Sequence, residues 1–257
     1  MKLSQVAAQL YTVRDLLQTP ADIAKTLKAV RSIGYTAVQI SGVGPIATSE
    51  LVKILDGEGL TVCATHESPD AILNAPRKVV ETLDALRTKI TAYPFPSGID
   101  FESAESLHGL IAGLEKSGKV LAEAGKVLCY HNHHHEFRKF DGVVILDLIY
   151  NGTSPKYVQG EPDTFWIQHG GGDPVAWCEK LNGRLPIIHL KDFKINSKNS
   201  IEFCEIGAGN LNFRKIIAAA EDAGCEWFVV EQDTTPGNPL DSLAQSFRYI
   251  EENLVKA

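Results

Sequence analysis

The sequence lacks the features that mark several large classes of protein. Its five cysteines are odd in number and far apart, so they predict reduced thiols rather than a disulfide framework or a CxxC metal site. No apolar run reaches the roughly 18 residues that a membrane-spanning helix needs. The opening MKLSQVAAQLYTVRD contains no unbroken apolar stretch with a small-residue cleavage site after it. These absences predict a cytoplasmic protein without a membrane partner.

Basic clusters and several common catalytic motifs are missing as well. The net charge is -7, and Lys and Arg are scattered among acidic residues, which argues against nucleic acid as a partner. No GxGxxG follows the first predicted strand, and neither GxSxG nor HExxH occurs. No glycine-rich loop or Lys/Arg cluster stands near the last two predicted strands, so we expect an unphosphorylated substrate.

What is present is a regular alternation of β-rich runs with amphipathic stretches of helical length. With 44% hydrophobic residues and no linker, residues 1–257 are predicted to form one α/β domain. The β-rich runs cover approximately 5–10, 37–40, 61–65, 89–93, 127–132, 157–161, 186–190 and 227–231. Helices are predicted over 19–33, 49–58, 104–124 and 213–223, each ending before a glycine. Eight strands favour a (β/α)₈ barrel, with a doubly wound open sheet as the alternative.

Acidic and histidine residues recur where predicted strands give way to helices, and four of them are candidate ligands of a divalent metal: Glu136, Asp163, His189 and Glu231. The carboxyl ends of barrel strands gather around one axis, so these side chains are expected to meet. Asp163 is alternatively a helix N-cap. Glu231 is alternatively the partner of Lys191, which shares a strand face with His189 and is expected to project into the barrel mouth with it.

Other strand ends carry candidate substrate-binding or acid–base groups. His66 is delivered by a buried strand and is a candidate catalytic residue, and Arg14 is a candidate for binding a hydroxylated or anionic substrate. In the segment YHNHHHEF, strand alternation places His131 and His133 on one face, and both are candidate substrate contacts. The next two histidines of that segment are interpreted as part of a surface loop. Segments 192–210 and 232–239 follow two of the ligand-bearing strands and are candidate lids.

Six segments in this order resemble one known group of barrels: AAQLYTVRD, YHNHHHEF, DTFW, RLPIIHLKDF, IGAGNLNF and WFVVEQD. The chain is similar, over nearly its whole length, to sugar phosphate isomerases/epimerases of the xylose isomerase-like TIM-barrel superfamily. That resemblance implies a Mn²⁺, Mg²⁺, Co²⁺ or Zn²⁺ ion held by Glu, Asp, His and Glu from strands five to eight. The last three map onto Asp163, His189 and Glu231. Epimerase-like relatives carry a Glu at the position of His131, so either Glu136, or His131 or a water, completes the set.

The resemblance also implies the chemistry. We expect an isomerase or epimerase that acts on a keto-sugar or related polyol through a metal-stabilised enediolate, with Glu136 and Glu231 exchanging protons on opposite faces. The alternative is a dehydratase or lyase of keto-sugars, keto-inositols or 3-keto-glycosides, in which Lys191 or His66 protonates the leaving oxygen. A non-catalytic carbohydrate-binding barrel and an abasic-site endonuclease are the other classes considered. The expected partner is a small carbohydrate or cyclitol, and a homo-oligomer is allowed.

Overall fold

Eight short parallel strands form the centre of the computed structural model, which describes residues 1–256. The barrel strands are β1 (Val6–Gln9), β2 (Ala37–Ile40), β3 (Thr61–His66), β4 (Ile90–Tyr93), β5 (Val127–His131), β8 (Val158–Glu161), β9 (Ile187–Leu190) and β12 (Trp227–Val230). They pair in the order β8-β5-β4-β3-β2-β1-β12-β9. The ring closes between β8 and β9, where the His189 N–H donates to the Pro162 carbonyl at 2.9 Å. This closure excludes the open sheet.

Strand alternation divides the apolar residues into two cores. The inner core lies within the barrel and is built mostly of small residues, because eight strands leave little room around the axis. Its members are Ala7, Ala37, Cys63, Ala64, Ile90, Ala92, Cys129, Ile187 and Val229. The larger outer core contains the bulky residues of the opposite strand faces and of the helices packed on them.

Ten helices surround the barrel within residues 1–256: α1 (Pro20–Ile33), α2 (Thr48–Glu58), α3 (Pro69–Asn74), α4 (Pro76–Ala85), α5 (Ala104–Glu123), α6 (Ile145–Asn151), α7 (Thr164–His169), α8 (Pro174–Lys180), α9 (Phe213–Asp222) and α10 (Pro239–Asn253). Helix α1 illustrates how the sequence sets an end. The Thr19 side chain accepts the Asp22 N–H, Pro20 occupies the first turn, and Gly34 follows with φ 129°.

Two hairpins interrupt the regular repeat, and both follow barrel strands at their carboxyl ends. The first pairs β6 (Lys139–Phe140) with β7 (Val143–Val144), and the second pairs β10 (Asp192–Ile195) with β11 (Ile201–Cys204). The second hairpin lies within segment 192–210, which is predicted from the sequence as a candidate lid.

The predicted strands are confirmed, each within one residue of its observed ends. All five cysteines are free and buried, as expected for reduced thiols. None of the helices formed by residues 1–256 combines the length and hydrophobicity needed to cross a bilayer.

Candidate active site

The polar residues at the barrel mouth occupy one layer directly above the inner core. On most strands they stand two residues after an inner-core residue, as Gln9 does after Ala7 and His131 after Cys129. Side chains two apart on a strand share a face, so the alternation that buries the core also turns the next residue into the mouth. The layer contains Gln9, Gln39, His66, His131, Glu161, His189 and Glu231.

Three of the four predicted metal-binding positions meet here. The Nδ1 atom of His189 lies 2.9 Å from Glu231 Oε2 and 3.8 Å from Asp163 Oδ2. Lys191 approaches the same two oxygens, with its Nζ at 2.9 Å from Glu231 Oε2 and 3.2 Å from Asp163 Oδ2. An imidazole and an ammonium group therefore converge on two carboxylate oxygens that would be available to a metal ion.

Asp163 serves a helix and the cluster at once. Its Oδ1 accepts the Trp166 N–H at 2.9 Å and caps α7, which is the role predicted as the alternative to metal binding. Its Oδ2 is buried and has no hydrogen-bond partner within the described residues. One oxygen thus fixes the position of the carboxylate and leaves the other directed at His189 and Lys191.

Glu161, absent from the predicted set, is the most heavily bonded carboxylate of the layer. Its Oε1 lies 2.6 Å from His66 Nε2 and 2.8 Å from His189 Nε2. The Gln39 amide donates to both of its oxygens, at 3.1 and 3.0 Å. The sequence does carry a signal for it, because Glu161 is the last residue of β8 and stands two residues before Asp163.

The charges of the cluster follow from these contacts. Burial alone would lower the pKa of His189, but the carboxylates of Glu161 and Glu231 outweigh it and raise that pKa to about 10. Burial also opposes the charge of Lys191, yet the surrounding carboxylates raise its pKa. Despite burial, Lys191 and His189 hold the pKa of Glu231 well below its usual range. Burial raises the pKa of Asp163 to about 6. Lys191 and His189 lie further from Asp163 than from Glu231, so they offset the effect of burial less at Asp163.

This donor set fits a divalent cation. Negative charge is in excess, since Glu161, Asp163, Glu231 and Asp233 share the cluster with the cationic groups of His189 and Lys191. Buried Asp163 Oδ2 and His131 Nδ1 lack hydrogen-bond partners among the residues described. Donor atoms of His131, Asp163, His189 and Glu231 all lie within 4.8 Å of one another. Carboxylate oxygen and imidazole nitrogen are ligands that Mn²⁺, Co²⁺ and Zn²⁺ accept, and the oxygens also suit Mg²⁺.

The fourth predicted position, Glu136, lies in a separate group. It belongs to a short 3-10 turn, His135–Phe137, and is fully buried. The Tyr130 hydroxyl donates to its Oε1 and the His133 N–H to its Oε2, both at 2.9 Å. Burial raises the pKa of Glu136 to about 7. Its neighbours as potential ligands are His133 and His135, not the three central positions.

A cavity of about 510 Å³ opens above the central cluster. Its lining includes five residues predicted from the sequence as catalytic, metal-binding or substrate-binding: His66, His131, His133, Lys191 and Glu231. Arg14, the remaining predicted substrate contact, donates instead to the backbone carbonyls of Tyr11 at 2.8 Å and Asp233 at 3.0 Å. It thereby joins the loop after β12 to the segment after β1.

The family model of the xylose isomerase-like TIM barrel matches residues 27–253 of this chain. The chain belongs to that family. Among curated relatives of this xylose isomerase-like barrel is an inosose dehydratase of Geobacillus thermodenitrificans, 31% identical over 160 residues, or 56% of this chain and 53% of the relative. An inosose dehydratase of Mesomycoplasma hyopneumoniae is 23% identical over 285 residues, covering 95% and 94%. The chain spans about half the length of several such relatives.

Solved structures agree on the fold. A sugar phosphate isomerase/epimerase from Parabacteroides distasonis superposes with a TM-score of 0.82 at 22% identity, covering 98% of this chain and 96% of that one. An L-ribulose 3-epimerase superposes with a TM-score of 0.75 at 13% identity, covering 98% and 94%. At identities this low, these superpositions show the fold alone.

The two candidate lids of this xylose isomerase-like barrel follow β9 and β12 and are held by different contacts. In the hairpin segment, the Asp192 carboxylate accepts backbone N–H groups from Phe193, Gly207, Gly209 and Leu211. Gly209 is required for this, because a Cβ there would lie 2.3 Å from Asp192 Oδ1. The segment after β12 brings Asp233, whose Oδ2 lies 3.0 Å from Lys191 Nζ.

Proposed function

We propose that this protein is a divalent-metal-dependent isomerase or epimerase acting on a keto-sugar or related polyol, through the enediolate that forms when a C–H proton next to the carbonyl leaves. The observation that carries the proposal is the excess of carboxylates beneath a cavity of about 510 Å³, among them Asp163 Oδ2, which faces Lys191 but has no hydrogen-bond partner in the described residues. A cavity of this size admits a ring-sized polar ligand.

Asp163, His189 and Glu231 are the proposed ligands, with His131 as the fourth donor of the group. Bound there, a divalent cation would polarise the substrate carbonyl and neutralise charge that develops on its oxygen. His189 contributes only after losing a proton, because both of its nitrogens now face acceptor oxygens. The ion could be Mn²⁺, Mg²⁺, Co²⁺ or Zn²⁺.

Glu231 and His66 are the proposed proton-transfer groups. Glu231 lines the cavity, and only its Oε2 is engaged by His189 and Lys191, so Oε1 is free of hydrogen bonds within the described part of the chain. That oxygen can accept the carbon-bound proton. His66 also lines the cavity, on a strand three places from β12 around the ring, and Glu161 orients its Nε2. Return of the proton to the other face gives an epimer, and to the adjacent carbon an isomer.

A dehydratase or lyase acting on the same class of ketone is the second candidate, and two observations favour it. The curated relatives carry the name inosose dehydratase. In addition, Lys191 places an ammonium group on the cavity wall beside Glu231, where it could protonate a leaving oxygen after Glu231 has taken the proton. Only the fate of the enediolate differs between the two functions.

The test is to incubate the metal-loaded protein with keto-sugars and keto-inositols in D₂O and to follow them by NMR and mass spectrometry. Deuterium next to the carbonyl with an isomeric product supports the isomerase or epimerase, whereas a product lighter by one water supports the dehydratase. Glu231→Gln should abolish both. Glu226→Gln, at the exposed opposite end of the same strand, is the matched control. Ligand binding without any exchange across the panel would instead favour a carbohydrate-binding barrel.

The biological setting follows from the same proposal. The partner is a small carbohydrate or cyclitol, and the net charge of -7 argues against nucleic acid. The cytoplasmic location stays a prediction.

A further inference from the structure

A second group of potential metal ligands lies beside the cavity, apart from the central cluster. It consists of His133, His135 and Glu136, whose donor atoms all lie within 4.8 Å of one another. The two imidazole rings are parallel within 4° with centroids 5.4 Å apart, and the edge of Phe95 packs against each. The packing holds both rings beside the buried carboxylate.

Glu136 differs from the central carboxylates in having no cationic side chain nearby. Among residues 1–256, no Lys or Arg nitrogen lies within the 4.0 Å range of an ion pair with it, whereas Asp163 and Glu231 each contact Lys191. Its hydrogen bonds come from Tyr130 and from the His133 backbone, one to each oxygen, so each oxygen keeps a lone pair. Buried carboxylates usually are paired with a cation or coordinate a metal.

The two histidines add unused nitrogen atoms. His133 Nδ1 and His135 Nε2 are buried and have no hydrogen-bond partner in the described residues. If Glu136 only stabilised the loop, its two hydrogen bonds would be explained, but the free nitrogens of His133 and His135 would have no function. A cation bound between the three side chains accounts for all of these atoms together.

We propose that His133, His135 and Glu136 form a second divalent-cation site, selective for Zn²⁺. Two imidazole nitrogens and one carboxylate oxygen are a donor set that zinc favours, and three protein ligands leave one position open. Ligand atoms about 2.0–2.1 Å from a tetrahedral zinc ion lie roughly 3.4 Å apart. The distance from His135 Nε2 to Glu136 Oε1 is already 3.5 Å. Because His133 lines the cavity, the open position is accessible to a substrate oxygen or a water.

The experiment measures zinc bound per chain, by mass spectrometry after removal of free metal, in an Asp163→Ala background that lacks the central ion. About one zinc per chain should remain. Adding His135→Ala should remove it, and Co²⁺ substitution should give the visible bands of a four-coordinate ion only when His135 is present. Circular dichroism melts check that every variant is folded. If Asp163→Ala does not fold, the wild-type background serves, with two equivalents falling to one.

The matched control is His134→Ala, which removes the exposed neighbouring histidine. The ring of His134 lies 5.0 Å from that of His169, so these two could capture zinc adventitiously at the surface. The His134→Ala variant should keep its zinc if the proposal is correct. Zinc lost with His134, zinc retained without His135, or no zinc at all in the Asp163→Ala background would each overturn it. Since the second site is read without the central ion, its failure is separable from failure of the proposed function.

Discussion

Replacing Glu136 by Gln should remove the pH dependence that this buried carboxylate imposes on stability. In metal-free protein, burial raises the pKa of Glu136 from 4.5 to about 7. The folded state therefore holds this proton more tightly than the unfolded chain does. Stability from this residue is fully present below pH 4.5 and is lost as the pH rises through about 7. The loss amounts to about 3 kcal/mol, because each pKa unit corresponds to about 1.4 kcal/mol.

The amide side chain of the Glu136→Gln variant has no proton to lose in this range, so it avoids this cost but disturbs a hydrogen bond. Tyr130 and the His133 N–H both donate to the carboxylate, and an amide offers only one acceptor oxygen. One poorly matched donor costs about 1–2 kcal/mol. We therefore expect Glu136→Gln to be less stable than the wild type by about 1–2 kcal/mol near pH 4.5 and more stable by a similar amount near pH 8.

Thermal or urea unfolding in chelator, followed by circular dichroism from pH 4.5 to 8, measures this difference. A change of about 3 kcal/mol corresponds to roughly 6 to 12 °C in melting temperature for a domain of this size. Glu81→Gln, an exposed change in α4, is the control and should run parallel to the wild type. If the Glu136→Gln curve also runs parallel, the carboxylate is compensated in the folded state and the argument from burial is wrong.

The central cluster gives three further predictions. Asp163→Ala and Glu231→Ala should each lose the bound metal and the activity while remaining folded, as measured by metal analysis and deuterium exchange; full activity in either would refute the site. Lys191→Met should destabilise metal-free protein by about 3–5 kcal/mol, because buried carboxylates lose their ammonium partner. Saturating Mn²⁺ should stabilise that variant more than the wild type in thermal melts. Metal binding at pH 7–8 should release about one proton, because the pKa of His189 is about 10, and affinity should rise with pH. Calorimetric heats that do not depend on the buffer would contradict this.

Local patterns in the chain are sufficient to predict the barrel and most of the residues that meet at its mouth. Each strand follows from an apolar run of the right length. The ends of the helices between the strands follow from capping residues and glycines, such as Thr19 and Gly34 around α1. His189 and Glu231 were predictable because each stands two positions beyond an inner-core residue, Ile187 or Val229, and so faces the mouth. Asp163 was predictable from its place where a strand gives way to a helix.

Two acidic residues show where local patterns fail. The chain leaves β5 at His131, and the turn that follows folds Glu136 back under Tyr130, which no periodicity encodes. Glu161 ends a predicted strand, but nothing along the chain indicates which residues it contacts; ring closure between β8 and β9 places it against His189. The order of residues along the chain is therefore enough to tell which side chains end the strands. The closed ring determines which carboxylates lie beside His189 and Lys191, because those contacts join residues that are far apart in the chain.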